Sequence, residues 1–111
     1  MNNDLDIKKT KKNSSDLLRT YRSLKRIGTQ SETVNEIESA VNKCDQLEKE
    51  IITKKFLIGY PGTTITLYTK MYMSESKFYR RLESALIQFA EAYNGGELLV
   101  HKDGHAKEVR T

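Results

Sequence analysis

Apolar residues recur at helical spacing along most of this chain. Leu17, Leu18, Tyr21, Leu24 and Ile27 follow one another at three and four residues. They predict a helix that starts near Ser14 or Ser15, carries Asp16 in its first turn and stops at Gly28. Val34, Ile37, Ala40, Val41 and Cys44 predict a second helix from Ser31 or just after it. Leu47, Ile51, Ile52, Phe56 and Leu57 carry the stripe onward. One helix over 32–58 is unusually long for a small domain, so a break near Asn42–Asp45 is expected, with Asp45 capping the next helix; a continuous helix is the alternative. Gly59-Tyr-Pro-Gly-Thr-Thr reads as a turn. Thr63 or Thr64 then caps a short helix with Ile65, Leu67, Tyr68 and Met71 apolar, whose three threonines give it little helix propensity of its own. Ser74 opens the clearest helix, with Phe78, Leu82, Ala85, Leu86, Phe89, Ala90 and Tyr93 on one side and Asn94-Gly95-Gly96 at its end. After Glu97 the only apolar patch is Leu98-Leu99-Val100, which suits a short strand or loose packing equally. The predicted fold is all-α, with about five helices.

With 111 residues there is room for one domain, with a small core. A single cysteine excludes a disulfide framework and a Cys-based zinc site, and no apolar run approaches a membrane span. The start of the chain has no apolar signal core, so a cytoplasmic location is expected. The net charge of +4 hides a basic–acidic–basic layout, with +5 over residues 1–26, −4 over 27–52 and +3 over 53–111. Lys8, Lys9, Lys11 and Lys12 lie among polar residues, so 1–13 reads as a disordered basic arm. The helical domain is placed at 14–96 and a polar tail at 97–111. Basic segments flanking an acidic one are compatible with nucleic-acid binding, and equally with solvated helix faces.

Residues 63–93 carry the informative constellation. A short helix, a turn and a longer helix have helix-turn-helix spacing, in which the second helix reads bases with its N-terminal residues. With Phe78 at zero and about 100° per residue, Leu82, Ala85, Leu86 and Phe89 fall within about 80°, whereas Ser76 lies near 160° and Arg80 near 200°. Lys77, Ser84 and Arg81 fill the flank from about 240° to 300°. The face opposite the core is therefore polar and basic. Arginine can donate two parallel hydrogen bonds to guanine, while lysine and serine suit phosphate oxygens. Free N–H groups near Thr63 and Thr64 can also meet a phosphate. Taken alone, such a helix reads as a solvated face; the turn and short helix before it favour DNA.

The run Met73-Ser-Glu-Ser-Lys-Phe-Tyr-Arg-Arg-Leu-Glu-Ser-Ala-Leu-Ile-Gln-Phe-Ala-Glu-Ala-Tyr resembles the C-terminal signature of the ArpU-like phage transcriptional regulators. Leu47-Glu-Lys-Glu-Ile-Ile-Thr-Lys-Lys-Phe-Leu is similar to that family's helix before its helix-turn-helix, and the arrangement is similar to the fourth region of sigma factors. The resemblance covers roughly residues 30–99; the stretch 63–72, rich in threonine, departs from the family pattern. It implies a DNA-binding regulator of phage or prophage origin, acting in a bacterial host cell and activating late genes. By position Ser76, Tyr79 and Arg80 would face bases, and Lys77 and Arg81 the DNA backbone. The implied partners are promoter or operator DNA and host RNA polymerase; a homodimer is left open. The alternatives are a phage DNA-packaging recognition protein, or a protein-interaction module in which the helices form a dimer or a polymerase adaptor.

Other features point nowhere else. His101 and His105 flank Asp103 but lack a third ligand and a stable helix, so no metal is expected. Gly59–Thr64 lacks the Lys-Ser/Thr of a phosphate loop. Cys44 sits on an apolar stripe, where packing is its expected role. The acidic residues are spread around helical faces with no pocket to set a catalytic pair apart, and no enzyme or cofactor is implied.

Overall fold

Asp6, in extended conformation, accepts a hydrogen bond from the Lys9 N–H at 3.0 Å and caps the first helix eight residues upstream of the predicted Ser14 cap. In the computed structural model, which describes residues 4–28 and 31–102, helix α1 spans Ile7–Ile27 and ends at left-handed Gly28. The expectation of a disordered arm over 1–13 is thereby corrected for residues 4–13; residues 1–3 lie outside the described part. The physical reason is a stripe that is not apolar. Thr10 and Ser14 continue the line of Leu18 up the helix at intervals of four, and both are fully buried. Ser14 Oγ donates to the Leu86 carbonyl at 2.8 Å, and Thr10 Oγ1 accepts from the Val100 N–H at 2.9 Å. Each hydroxyl is thus satisfied, so burial is tolerated. Leu5 is buried beside this face, in an isolated antiparallel bridge with His101. The segment 97–102, expected to be a polar tail, is in part a packed strap across α1; residues 103–111 of that tail lie outside the described part.

Helix α2, Glu32–Asn42, is capped by Ser31, whose Oγ accepts from the Thr33 and Val34 N–H groups. It buries Val34, Ile37, Ala40 and Val41, as the stripe predicts. The expected break follows. Asp45 precedes α3, Gln46–Ile52, but makes no side-chain cap. Its carboxylate instead accepts from Gln88 Nε2 at 3.0 Å, while its N–H donates to Gln88 Oε1 at 2.9 Å, and this pair ties the break to the last helix. The chain continues from α3 into a π-helical turn over Thr53–Leu57, closed by an Ile58 N–H to Thr53 carbonyl bond of 2.8 Å. Helix α4, Thr64–Lys70, and helix α5, Glu75–Ala92, complete the all-helical fold; among the described residues no strand forms.

The core has two parts. The larger joins Leu18 and Tyr21 of α1, the α2 stripe, Ile52 and Phe56, and Ala85, Leu86 and Phe89 of α5. The smaller joins Ile51, Leu67 and Phe78 under α4. Leu82 touches both. Leu24 packs only partly and Ile27 is largely exposed, so the predicted α1 stripe ends earlier than its spacing suggests.

A polar brace links α1 to α2. Tyr21 Oη donates to Glu38 Oε2 at 2.5 Å, with Lys25 Nζ at 3.4 Å. Burial and the carboxylate push the Tyr21 phenol from 10.0 up to about 12. The Tyr21 hydrogen bond, aided by Lys25, holds the Glu38 carboxyl below its usual range against partial burial.

Two outcomes are expected from this packing. Phe89→Ala should cost about 3–5 kcal/mol and Leu5→Ala about 2–4 kcal/mol in thermal or denaturant unfolding; an unchanged transition for Leu5→Ala would detach the strap from the fold. Glu38 has a lowered folded pKa, so its contribution is complete above the unfolded carboxylate range and fades as pH falls through the folded value. Tyr21 has a raised one, so its contribution is complete below pH 10 and fades as pH rises towards 12. Tyr21→Phe should lower stability by about 1 kcal/mol at neutral pH and flatten both limbs of the pH–stability curve.

Candidate functional site

Helix α5 is held from two sides, and this fixes which face it shows to solvent. Phe78, Ala85, Phe89 and Ala90 have no accessible surface. On the α1 side, the small Ser14 side chain lets the backbones approach closely enough for its bond to Leu86. On the α3 side, Arg81 Nη1 donates to Glu48 Oε2 at 3.2 Å. Glu48 is only 1% exposed, so this charge-assisted bond answers a charge otherwise buried alone. Exposed along the N-terminal half of α5 are Glu75, Ser76, Lys77, Tyr79, Arg80, Arg81 and Glu83; of these Ser76, Lys77 and Arg80 lie on the side opposite the core.

The helix start is equally well built. Ser74 Oγ accepts from the Lys77 N–H at 3.2 Å, as its predicted capping role requires. Thr63 caps α4 by accepting from the Thr66 N–H at 3.1 Å. Between the helices, Met73 N–H donates to the Tyr68 carbonyl at 2.9 Å, and Tyr72 takes a left-handed conformation with φ of 60°. That conformation is costly for a bulky residue. The Tyr72 side chain is 96% exposed, so packing does not compensate it. The rings of Tyr68, Phe78 and Tyr79 stack edge-on or tilted at centroid distances of 5.4–6.5 Å and lock the turn against α5.

The predicted site residues therefore divide. Lys77, Arg80, Arg81 and Ser84 line one open hollow of about 330 Å³. Within it Arg81 is engaged with Glu48, and Ser84 Oγ accepts from Gln88 Nε2 at 3.3 Å. Ser76 is exposed on the same helix. Thr63 and Thr64 lie at the start of α4, where the Thr63 hydroxyl is occupied by its cap. Tyr79 turns to the other flank, into a groove of about 440 Å³ between α5 and α1.

That groove is what the sequence reading missed. Lys8, Lys11, Lys12 and Arg19 line it opposite Tyr79 and Glu83. Lys11 pairs with Glu83 at 3.2 Å and Lys12 with Asp16 at 2.8 Å. Lys8, Lys11 and Lys12 thus stand on a helix beside α5, not on a loose arm. The available signal was Asp6 as an N-cap ahead of Thr10, Ser14, Leu18 and Tyr21 at spacings of four, four and three.

Elsewhere, burial together with Glu48 and Asp45 pushes the Cys44 thiol up to about 11. It therefore carries no thiolate at neutral pH, which fits packing rather than nucleophilic chemistry. His101 lies 3.5 Å from Asp4; Asp103 and His105 fall outside the described residues. No helix among the described residues is long and apolar enough to cross a membrane.

No family model, curated protein or solved structure matches this chain.

The Arg81–Glu48 bond yields a stability test. Arg81→Ala should cost about 2 kcal/mol, less than a fully buried pair because the arginine is half exposed. Glu48→Gln, which keeps an acceptor and removes the buried charge, should cost clearly less in the same denaturant titration.

Proposed function

We propose that this chain binds double-stranded DNA through the outward face of α5 and regulates transcription. The observation that carries the reading is the rigid seating of α5. Its inner face is buried at Phe78, Ala85 and Phe89, so Ser76, Lys77 and Arg80 are presented outward from a capped helix start. Helix α4 and a short turn precede it, the order of a helix-turn-helix. Arg80 would read a base edge, with Ser76 on the same outward face, whereas Tyr79, turned towards α1, would not share that base contact. Lys77 would meet phosphate, and Arg81 and Ser84 would support the rim from their structural bonds. The basic flank of α1 lies across the groove from Tyr79 and extends the positive surface. Origin in a phage or prophage, activation of late genes and contact with host RNA polymerase rest on the resemblance of residues 73–93 to the ArpU-like regulators and of the arrangement to the fourth region of sigma factors.

A second reading has its own support. Ile65 and Tyr72 are exposed at 64% and 96%, on α4 and in the turn after it. Exposed apolar side chains of this kind suit a protein contact, and a protein-interaction module would use them without DNA.

Arg80→Ala decides between the two. At a preferred duplex site it should cost about 1–3 kcal/mol and relax specificity, measured by fluorescence anisotropy against a random competitor. Equal weakening on every sequence would make Arg80 a phosphate contact. Absence of duplex binding by the unaltered chain at low salt would favour the protein-interaction module.

A further inference from the structure

We propose that Arg19, Arg22 and Lys55 form a phosphate-binding site where α1 meets the π-helical turn, separate from the outward face of α5. The three cations and Phe56 line one hollow of about 340 Å³, with no acidic residue in its lining. Arg19 and Arg22, three apart on α1, share a helix face. The π-helical turn carries Lys55 against that face, with its Nζ 5.6 Å from the Phe56 ring centroid. Such wide turns concentrate at functional positions.

The local charge is poorly balanced. Arg19 has Asp16 at 3.6 Å, an exposed pair one turn back along α1. Among the described residues, neither Arg22 nor Lys55 has an ion-pair partner. Burial chiefly, and the Arg19 charge secondarily, lower the Lys55 ammonium from its usual range. The Arg22 guanidinium packs against Gly59, where a Cβ would lie 2.4 Å from Arg22 Nη1. Gly59 also has φ of 76°, so glycine suits both the turn and the approach of the guanidinium.

A tetrahedral dianion or phosphodiester matches this set. Two guanidinium groups can each donate paired hydrogen bonds, while the ammonium supplies a point charge. The phosphate can come from the backbone of the DNA held at α5, a placement that rests on the function proposed above, or from a free phosphate ester.

Two measurements on the full chain test the site. The first is the salt dependence of anisotropy with a short mixed-sequence duplex, for the unaltered chain and for Arg22→Gln/Lys55→Gln. If the hollow grips the DNA backbone, the double variant should flatten the slope of log K against log salt by about 0.9 for each lost contact, about 2 in all. Lys55→Arg should restore its share. The second is titration of the ¹⁵N-labelled protein with inorganic phosphate, followed at the amides of Arg22, Lys55 and Gly59. Saturable shifts that vanish in the double variant support the site whatever the DNA result. Shifts with an unchanged duplex slope, or with no duplex binding at all, assign it to a free phosphate ester. No phosphate shifts together with an unchanged slope, or with no duplex binding, would overturn it. A melting curve of the double variant matching the unaltered chain establishes that both compare folded proteins.

Discussion

The seating of α5 between α1 and α3 is the constraint on which the rest of the molecule depends. It joins both parts of the core, with Phe78 in the smaller, Phe89 in the larger and Leu82 between them. It accepts the Ser14 hydroxyl on one side and answers the buried Glu48 charge on the other. Because all of these act on one rod, the rotation of α5 about its axis is over-determined. A polar outer face is fixed by where the inner face must go. That is how packing becomes a functional statement: Arg80 points outward because Phe78, Ala85 and Phe89 cannot.

Charge is arranged around the same rod. Three of the six acidic residues in the middle of the chain serve structure, Glu38 on Tyr21, Glu48 on Arg81 and Asp45 on Gln88. Several basic residues are left without such partners. They gather on α1, on the π-helical turn and on the outer face of α5, so the basic–acidic–basic layout becomes a division between inner braces and outer cations. Asp16, Glu50, Glu75 and Glu83 are the carboxylates that lie beside this outer set.

Much of this was legible in the sequence, for a physical reason. Where burial is achieved by aliphatic and aromatic residues, spacing alone exposes it: the stripes of α2 and α5, the Ser31, Thr63 and Ser74 caps and the break before Asp45 all lie where the pattern places them. Where burial is achieved by hydroxyls, spacing alone does not. Thr10 and Ser14 look like surface residues until the Val100 N–H and the Leu86 carbonyl partner them, from 90 and 72 positions away in the chain. The start of α1 therefore has the local pattern of an arm, and the groove facing Tyr79 leaves no local signal. Long-range polar pairs are opaque in the same way. Nothing local marks Gln88 as the partner that takes Asp45 away from its cap, or Arg81 as the partner of Glu48. The candidate site was visible as a face of α5, but its flank on α1 and the hollow at Lys55 required the fold.

The most direct test of the central claim is selection of bound fragments from the genome that encodes this chain, with the unaltered protein and with Arg80→Ala in parallel. The account predicts one or a few strongly enriched sites for the unaltered chain and loss of that enrichment in the variant, with general duplex binding retained. Enrichment that is the same with and without Arg80, or no duplex captured at low salt, would contradict it.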